Sequence, residues 1–306
     1  MNKTIIPIRY LVVLGTFLLS LLLYIDRVCI SVAKEPIQGS LSLTETQMGW
    51  VLSIFALGYA LFQTPSGIMA DRFGPRVVLS SIVTIWSVFT ALTGVAWNFI
   101  TLLITRLFFG AGEAGAFPSM ARAIFNWIPL AERGLVTGIN FSGSRLGAAF
   151  ALPLVAWMIN DLGWRNSFYL LGAIGLVWAL IWYFVFRDSP DQQPLMPAEE
   201  RDYILQNRQK NEGTREKVKL KLGIMLRSKN MQLAMLQYFC SNFTFFFALT
   251  WLFPHVKETY HLNAVEAGFY TSAPLIFGAI GNWFSGWLVD FLYKKGIGTC
   301  PAASRP

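Results

Sequence analysis

Eight long apolar segments dominate the 306-residue sequence and decide what it can fold into. A bilayer core about 30 Å thick takes about 20 apolar residues per helix, and each segment meets that length. Hydrophobic residues make up 54% of the chain and charged residues only 14%, too few for a water-soluble coat. The sequence therefore predicts an all-α integral membrane protein. The predicted spans are Tyr10 to Ala33, Met48 to Ala70, Val77 to Ala96, Phe99 to Ala121, Gly134 to Met158, Ser167 to Phe186, Met231 to His255 and Ala267 to Leu292.

The distribution of Lys and Arg predicts the orientation of these spans. Most basic residues fall before the first span, after the second and fourth, and in the long segment after the sixth, whereas Lys34, Arg165 and Lys257 lie on the opposite side. Cytoplasmic loops carry such an excess, so we expect a cytoplasmic N-terminus in the inner membrane of a bacterial cell. The net charge of +8 follows from this topology, and no nucleic-acid partner is needed to explain it.

A polar segment divides the chain into unequal parts. Residues 1–187 hold six predicted spans, residues 188–229 form a cytoplasmic linker rich in Pro and charge, and residues 230–293 hold two more spans. Residues 294–306 form an atypical tail without membrane character. The sequence thus predicts a complete six-helix bundle followed by two helices of a second bundle.

A charged, glycine-containing decapeptide, GIMADRFGPR, separates the second and third spans and returns in altered form as GWLVDFLYKKG after the eighth. It resembles the loop motif of the major facilitator superfamily, whose fold has two six-helix halves. The resemblance implies a gating motif in which the Asp accepts hydrogen bonds from a helix N-terminus. An ordinary polar turn is the alternative. The motif residues are Gly67, Asp71, Arg72, Gly74 and Arg76 in the first copy, and Gly286 and Asp290 in the second.

Four further stretches resemble the anion:cation symporter family within that superfamily. They are YIDRVCISVA at 24–33, GYALFQTPSG at 58–67, RLFFGAGEAGAFPS at 106–119 and GWRNSFYLLGAIGLVWAL at 163–180. The resemblance implies secondary active transport of a small organic anion, such as a hexonate, a hexuronate or another carboxylate, usually in symport with protons.

Charged residues inside the predicted spans point independently to an anion. Each ionised group near the bilayer centre costs about 2.5 to 3.5 kcal/mol, so five of them require a function. Three arginines and two carboxylates leave one positive charge, which a carboxylate substrate would neutralise. We predict that the arginines bind substrate and that the acids carry protons; structural ion pairs are the alternative. The residues are Asp26, Arg27, Arg106, Glu113 and Arg145.

Tyr59 and Gln63 are four residues apart on the second span and would share a helix face. They could hydrogen-bond a polyhydroxy substrate, or equally a neighbouring helix. The sequence contains no motif of an enzyme and no metal-ligand pattern, so we expect neither a catalytic residue nor a cofactor besides the coupling proton. We expect a monomer in the lipid bilayer.

The resemblance also bears on the end of the chain. A carrier of this family has twelve helices, whereas the predicted spans stop after the eighth. A truncated or frame-shifted reading frame and a fragment of a longer protein are the two explanations. We expect transport by the 306-residue chain to be impaired. A non-transporting remnant that keeps the helical fold as a membrane scaffold or sensor is the alternative function.

Overall fold

The computed structural model describes residues 7–209, 222–262 and 264–296, and within these ranges the chain is built from helices and turns. The predicted linker residues 210–221 and the tail beyond residue 296 lie outside the described residues. The helices are α1 Ile8–Val32, α2 Lys34–Leu41, α3 Glu45–Phe73, α4 Pro75–Val95, α5 Phe99–Glu113, α6 Ala116–Trp127, α7 Arg133–Leu162, α8 Trp164–Val185, α9 Ala198–Asn207, α10 Leu222–Arg227, α11 Lys229–Thr259 and α12 Ala264–Lys294.

Seven helical stretches of the described chain are long and apolar enough to cross a membrane. They coincide with seven of the eight predicted spans and confirm an all-α membrane fold. The remaining predicted span, Met231 to His255, lies within α11, which is not among the seven, so its place in the membrane stays a prediction. The seven are Ile8–Val32, Glu45–Phe73, Pro75–Val95, Phe99–Trp127, Leu130–Leu162, Trp164–Val185 and Phe269–Lys294.

The fourth span is interrupted near its centre. Helix α5 ends at Glu113 and α6 begins at Ala116, within one apolar stretch of 29 residues. Gly115 allows a close approach at this turn, because a Cβ atom there would lie 2.6 Å from the Cβ atom of Ser66 on α3. The interruption leaves Glu113 at a helix end where its side chain is fully buried.

Local sequence signals explain where several helices begin. Thr44 and Gln47 form a capping box at the start of α3, and Asn98 and Thr101 form another at the start of α5. Each satisfies backbone N–H groups that have no partner inside the helix. Gly74 precedes α4 with φ of 83°, a left-handed conformation that glycine adopts without a steric penalty.

The described chain divides into two compact units. Among the described residues, the first comprises residues 7–209 and 275–296, and the second comprises residues 222–262 and 264–274. Every residue pair discussed below belongs to the first unit.

The N-terminal part of the linker folds onto the first unit. Glu200 on α9 accepts hydrogen bonds from the backbone N–H groups of Ile8 (3.0 Å) and Arg9 (3.1 Å) at the start of α1. The Nε atom of Arg9 lies 3.2 Å from Oε2 of Glu132, and the Tyr203 hydroxyl donates to Oε1 of the same carboxylate at 3.1 Å. Burial raises the pKa of Tyr203 and the bond to Glu132 raises it further, so this hydroxyl remains a donor at neutral pH.

Candidate functional site

Four of the five charged residues predicted inside the membrane form one cluster. Asp26 and Arg27 lie on α1, and Arg106 and Glu113 lie on α5. The Nε atom of Arg27 donates to Oε2 of Glu113 at 2.7 Å, which joins the two helices through an ion pair. Asp26 interacts electrostatically with Glu113 and Arg106. The cluster therefore contains two guanidinium groups and two carboxyl groups at one place between α1 and α5.

These side chains are removed from the surface almost completely. The exposed fraction is 1% for Asp26, 2% for Arg106 and 0% for Glu113, and the side chain of Arg27 is 11% exposed. Buried charges are costly unless they are paired and hydrogen-bonded. A cluster that served only to hold α1 against α5 would be expected to satisfy its own polar atoms.

Much of the hydrogen-bonding capacity of the cluster is unused. Both carboxyl oxygens of Asp26, Nη2 of Arg27, Nε of Arg106 and Oε1 of Glu113 are buried and form no well-aligned hydrogen bond to a described residue, although the indole N–H of Trp86 lies close to the Asp26 carboxyl group. Native proteins leave few buried polar groups unsatisfied. The pattern indicates a site that a ligand, a proton or water completes.

Aromatic rings surround the guanidinium group of Arg27. Its Cζ atom lies 4.9 Å from the ring centroid of Tyr24, 5.2 Å from that of Phe55 and 4.8 Å from that of Tyr59. The negative face of an aromatic ring attracts a cation, most strongly where water is excluded. Tyr59, predicted as a substrate contact, therefore lies next to one of the predicted arginines.

Arg106 also lies against aromatic rings. Its Cζ atom is 4.3 Å from the ring centroid of Phe109 and 5.5 Å from that of Phe55. These aromatic residues were not among the predicted site residues. Tyr24 and Phe109 lie three residues from the arginine that each contacts, so helical spacing could have identified them. Phe55 lies on another helix, and no charged residue near it in the sequence marks it.

Arg145 and Gln63 occupy other positions in the first unit. Arg145 is half-buried and lies beside Gly278 of α12, where an added Cβ atom would be 2.7 Å from its Nη1 atom. On the same helix, Ser142 accepts a hydrogen bond of 2.6 Å from the indole N–H of Trp283. Arg145 is thus placed at the contact between α7 and α12. Gln63 follows Tyr59 by one turn of α3 and is half-buried.

In the first motif copy, Asp71 lies at the end of α3 and is mostly exposed. Its Oδ1 atom is 3.8 Å from Nε of Arg122 on α6, and 72% of the Asp71 side chain is exposed. Gly67 packs against Pro118 of the same helix, and the guanidinium group of Arg72 lies over the ring of the following residue. The described partner of Asp71 is therefore an arginine on α6.

The N-terminus of α4, the helix that follows the first motif copy, is capped by Asp188, which lies outside the motif. Asp188 accepts a hydrogen bond of 2.8 Å from the backbone N–H of Arg76 in the first turn of α4. A Cβ atom on Gly74 would lie 2.7 Å from this carboxyl group, so the glycine leaves room for it. The side chain of Arg76 donates to the carbonyl oxygen of Tyr183 at 2.8 Å. Asp188 lies in the predicted linker, where no contact was expected of it.

The second motif copy makes the contact expected of a helix cap. Asp290 accepts hydrogen bonds of 2.8 Å from the backbone N–H groups of both Gly134 and Leu135 at the start of α7. Gly286 lies one turn earlier on α12, where its backbone packs against that of Gly134. Asp290 itself is buried, with 7% of its surface exposed.

Comparison with known proteins identifies the family. The profile described as Major Facilitator Superfamily matches residues 16–302. The chain is 37% identical over 96% of its length to the probable sulfoacetate transporter SauU of Cupriavidus necator, covering 67% of that protein. It is 32% identical to the hexuronate transporter of Bacillus subtilis, over 93% of this chain and 65% of the relative. It is 33% identical to the D-galactonate transporter of Escherichia coli, over 97% and 71%.

Solved structures show the same fold. A bacterial homolog of the human lysosomal transporter Spinster, inward-facing and unoccupied, matches 94% of this chain and 64% of that chain, with a TM-score of 0.61 and 25% identity. A double-tryptophan mutant of XylE matches 90% of this chain and 67% of that one, with a TM-score of 0.68 and 17% identity. The chain spans about two thirds of the length of its curated relatives. By profile, sequence and fold, this multi-pass membrane protein belongs to the major facilitator superfamily.

Proposed function

We propose that the chain belongs to a secondary active transporter that carries a small organic anion, such as a sugar acid, in symport with protons. The observation that carries the proposal is the buried cluster in which Arg27 and Arg106 keep unused donors beside Asp26 and Glu113. The relatives support the choice of substrate, because sulfoacetate, hexuronate and D-galactonate are all organic anions.

The charge of the cluster favours a negative ligand once a proton is bound. With both acids ionised, Arg27, Arg106, Asp26 and Glu113 sum to zero, and a proton on either acid leaves a net positive charge. An anion entering with that proton restores neutrality in a site where uncompensated charge is costly. Arg145 adds a further positive charge on α7 that would favour a more acidic ligand.

Glu113 is the group we propose to couple the proton to the anion. Its ionised carboxylate holds Nε of Arg27 at 2.7 Å. Protonation removes the negative charge and weakens this pair, so that Nε of Arg27 joins the unused Nη2 as a donor to the substrate carboxylate. Asp26 would accept a second proton, since its buried carboxyl group interacts with Glu113 and Arg106 and keeps unused hydrogen-bonding capacity.

Tyr59 and Gln63 are proposed to contact the remainder of the substrate. The ring of Tyr59 already lies against Arg27, so its hydroxyl is near any carboxylate held there. Gln63 follows one turn later on the same helix and supplies both a donor and an acceptor. Such groups suit the hydroxyls of a sugar acid.

The motif residues are proposed to form the inner gate. Asp290, with Gly286 beside it, holds the start of α7, and this contact would break and re-form as the two halves of a carrier rock about the site. Asp71, Arg72, Gly74, Arg76 and Gly67 would serve the corresponding gate at the first motif. Because rocking needs both halves, we expect the 306-residue chain by itself to bind anions but to transport them slowly.

The proposed setting is the bacterial inner membrane, with a monomeric carrier whose N-terminus is cytoplasmic. The orientation is supported by the basic residues near the start of α1, the motif loop after α3 and the loop before α7. Labelling of single cysteines introduced at Ser42 and Gln193 tests it. A membrane-impermeant reagent added to intact cells should label position 42 and spare position 193.

Ligand binding by the purified chain tests the proposed substrate class. D-Galactonate, D-glucuronate and sulfoacetate should each be tested for a rise in the unfolding temperature, since a ligand that binds only the folded state stabilises it. Neutral D-galactose is the matched control for the charge. Stabilisation by at least one anion and none by D-galactose is expected; equal responses to D-galactose and D-galactonate would contradict an anion site.

A further inference from the structure

One uncharged side chain lies against both arginines of the cluster. The ring centroid of Phe55 on α3 is 5.2 Å from Cζ of Arg27 and 5.5 Å from Cζ of Arg106. Arg27 belongs to α1 and Arg106 to α5. Phe55 therefore contacts two guanidinium groups that come from different helices.

The position of this ring is fixed by its surroundings. Gly110 of α5 packs directly against the backbone carbonyl of Phe55, and a Cβ atom there would collide with it. The ring also packs on Tyr59, with centroids 5.8 Å apart, and on Phe109, with centroids 5.5 Å apart. Because these neighbours restrict the Phe55 ring, the ring can in turn restrict the positions of the two guanidinium groups that it contacts.

An aromatic ring suits this place for an electrostatic reason. Two guanidinium groups repel each other, and the repulsion grows where water is excluded. The ring attracts both cations through its negative faces while offering no competing hydrogen-bond acceptor. Contacts with a ring face leave N–H groups available, and Nη2 of Arg27 and Nε of Arg106 are indeed unused.

We propose that Phe55 is a positioning residue of the anion site. Its ring holds Arg27 and Arg106 at a fixed separation, so that their unused N–H donors are arranged before the anion arrives. This inference rests on the proposed function, because it needs the two arginines to bind an anion. Pre-organised donors bind more tightly because less ordering remains to be done on binding.

Substitutions that change the ring test the inference. D-Galactonate affinity should be measured by titration calorimetry for the whole chain with Phe55→Leu, which removes the ring, and with Phe55→Tyr, which keeps it. We expect Phe55→Leu to weaken binding about tenfold and Phe55→Tyr to change it less than about threefold. Phe89→Leu is the matched control, because the Phe89 ring stacks on Phe108, 5.2 Å away, and should leave affinity unchanged.

A second substitution, which alters the electron density of the ring but not its shape, tests the inference if the Phe55→Leu protein does not fold. Trifluorinated phenylalanine at position 55 weakens the negative face at nearly constant size. Affinity should fall with fluorination, with an unchanged unfolding temperature of the ligand-free protein. Equal affinity for the native, leucine and fluorinated proteins would overturn the role of Phe55.

Arg106→Gln separates this inference from the proposed function. Loss of binding in Arg106→Gln, with full affinity in Phe55→Leu, would overturn the role of Phe55 and leave the anion site standing. Full affinity in Arg106→Gln would overturn the anion site itself, and the inference with it. We expect the affinity for D-galactonate to fall in both Arg106→Gln and Phe55→Leu and to be largely kept in Phe55→Tyr.

Discussion

At the scale of single residues, the chain buries charge in a place where charge is expensive. Glu113 and Arg27 compensate each other through an ion pair of 2.7 Å, whereas Asp26 and Arg106 keep buried polar atoms without a well-aligned hydrogen bond in the described chain. Removing one member of a buried pair usually costs several kcal/mol, because the other charge is left uncompensated. Single substitutions in this cluster should therefore have large and interpretable effects.

Glu113→Gln should remove the part of the pH dependence of anion binding that the proton on Glu113 causes. In the wild type, D-galactonate should bind more tightly as the pH falls from about 8 to about 5, by up to tenfold per pH unit where one proton is coupled. The reason is that the proton on Glu113 releases Arg27. Gln has the shape of the protonated acid, so the affinity of the variant in titration calorimetry should change less over this range than that of the wild type, with only the contribution of Asp26 remaining. Retention of the wild-type pH profile would exclude Glu113 as the coupling group.

The charged residues could be found from the sequence, whereas Phe55, the aromatic residue that contacts both arginines, could not. Asp26, Arg27, Arg106 and Glu113 stand out because ionised groups are rare in apolar spans. Phe55 does not stand out, since aromatic residues make up 15% of the chain. The ion pair between Arg27 and Glu113 depends on how α1 meets α5, which spacing along either helix does not determine.

At the scale of helices, carboxylates from distant segments cap three helix N-termini. Asp290 binds the start of α7, Glu200 the start of α1 and Asp188 the first turn of α4. Each accepts from N–H groups that the helix itself leaves unpaired, and its charge opposes the positive end of the helix dipole. Asp290 could be predicted because a motif marks it, whereas Asp188 and Glu200 look like solvated linker acids in the sequence.

Asp290→Ala should destabilise the first unit. The substitution removes two hydrogen bonds to the start of α7, and the loss of a cap of this kind costs about 1 kcal/mol, up to about 2 where it is partly buried. The unfolding temperature of the detergent-purified protein should fall by a few degrees. Asp161→Ala, at the exposed opposite end of α7, is the matched control and should change it little. An unchanged unfolding temperature in Asp290→Ala would contradict the cap.

Glu200→Ala should loosen the linker helix from the bundle. The carboxylate of Glu200 accepts from the N–H groups of both Ile8 and Arg9, and lies 3.5 Å from Nη1 of Arg9. Hydrogen exchange measured by mass spectrometry should become faster in peptides covering α9 and the first turn of α1. Glu199→Ala on the same helix is the matched control. Equal hydrogen-exchange rates in the two variants would contradict the role of Glu200 in holding α9 against the start of α1.

At the scale of the molecule, the fold follows from hydropathy and a repeated motif. The length of each apolar run predicted the membrane helices to within a few residues at most ends, because bilayer thickness sets those lengths. The length of an apolar run could not show that the fourth span is interrupted at Ala114 and Gly115, since neither residue is charged and both fit a continuous apolar helix. At this point Gly115 lies close to Ser66 of α3, a contact that hydropathy does not record.

The most direct test of the account is the affinity of Arg106→Gln for D-galactonate, compared with the wild-type chain and with Lys34→Gln. Lys34→Gln removes a positive charge that pairs with Glu45 on the surface, so it controls for net charge. In the proposed complex Arg106 and the carboxylate of D-galactonate form a buried charge pair, and removing one partner of such a pair costs about 2 to 5 kcal/mol. We therefore predict at least about a 30-fold loss of affinity in Arg106→Gln and almost none in Lys34→Gln. Binding by Arg106→Gln as tight as that of the wild type would contradict an anion site at this cluster.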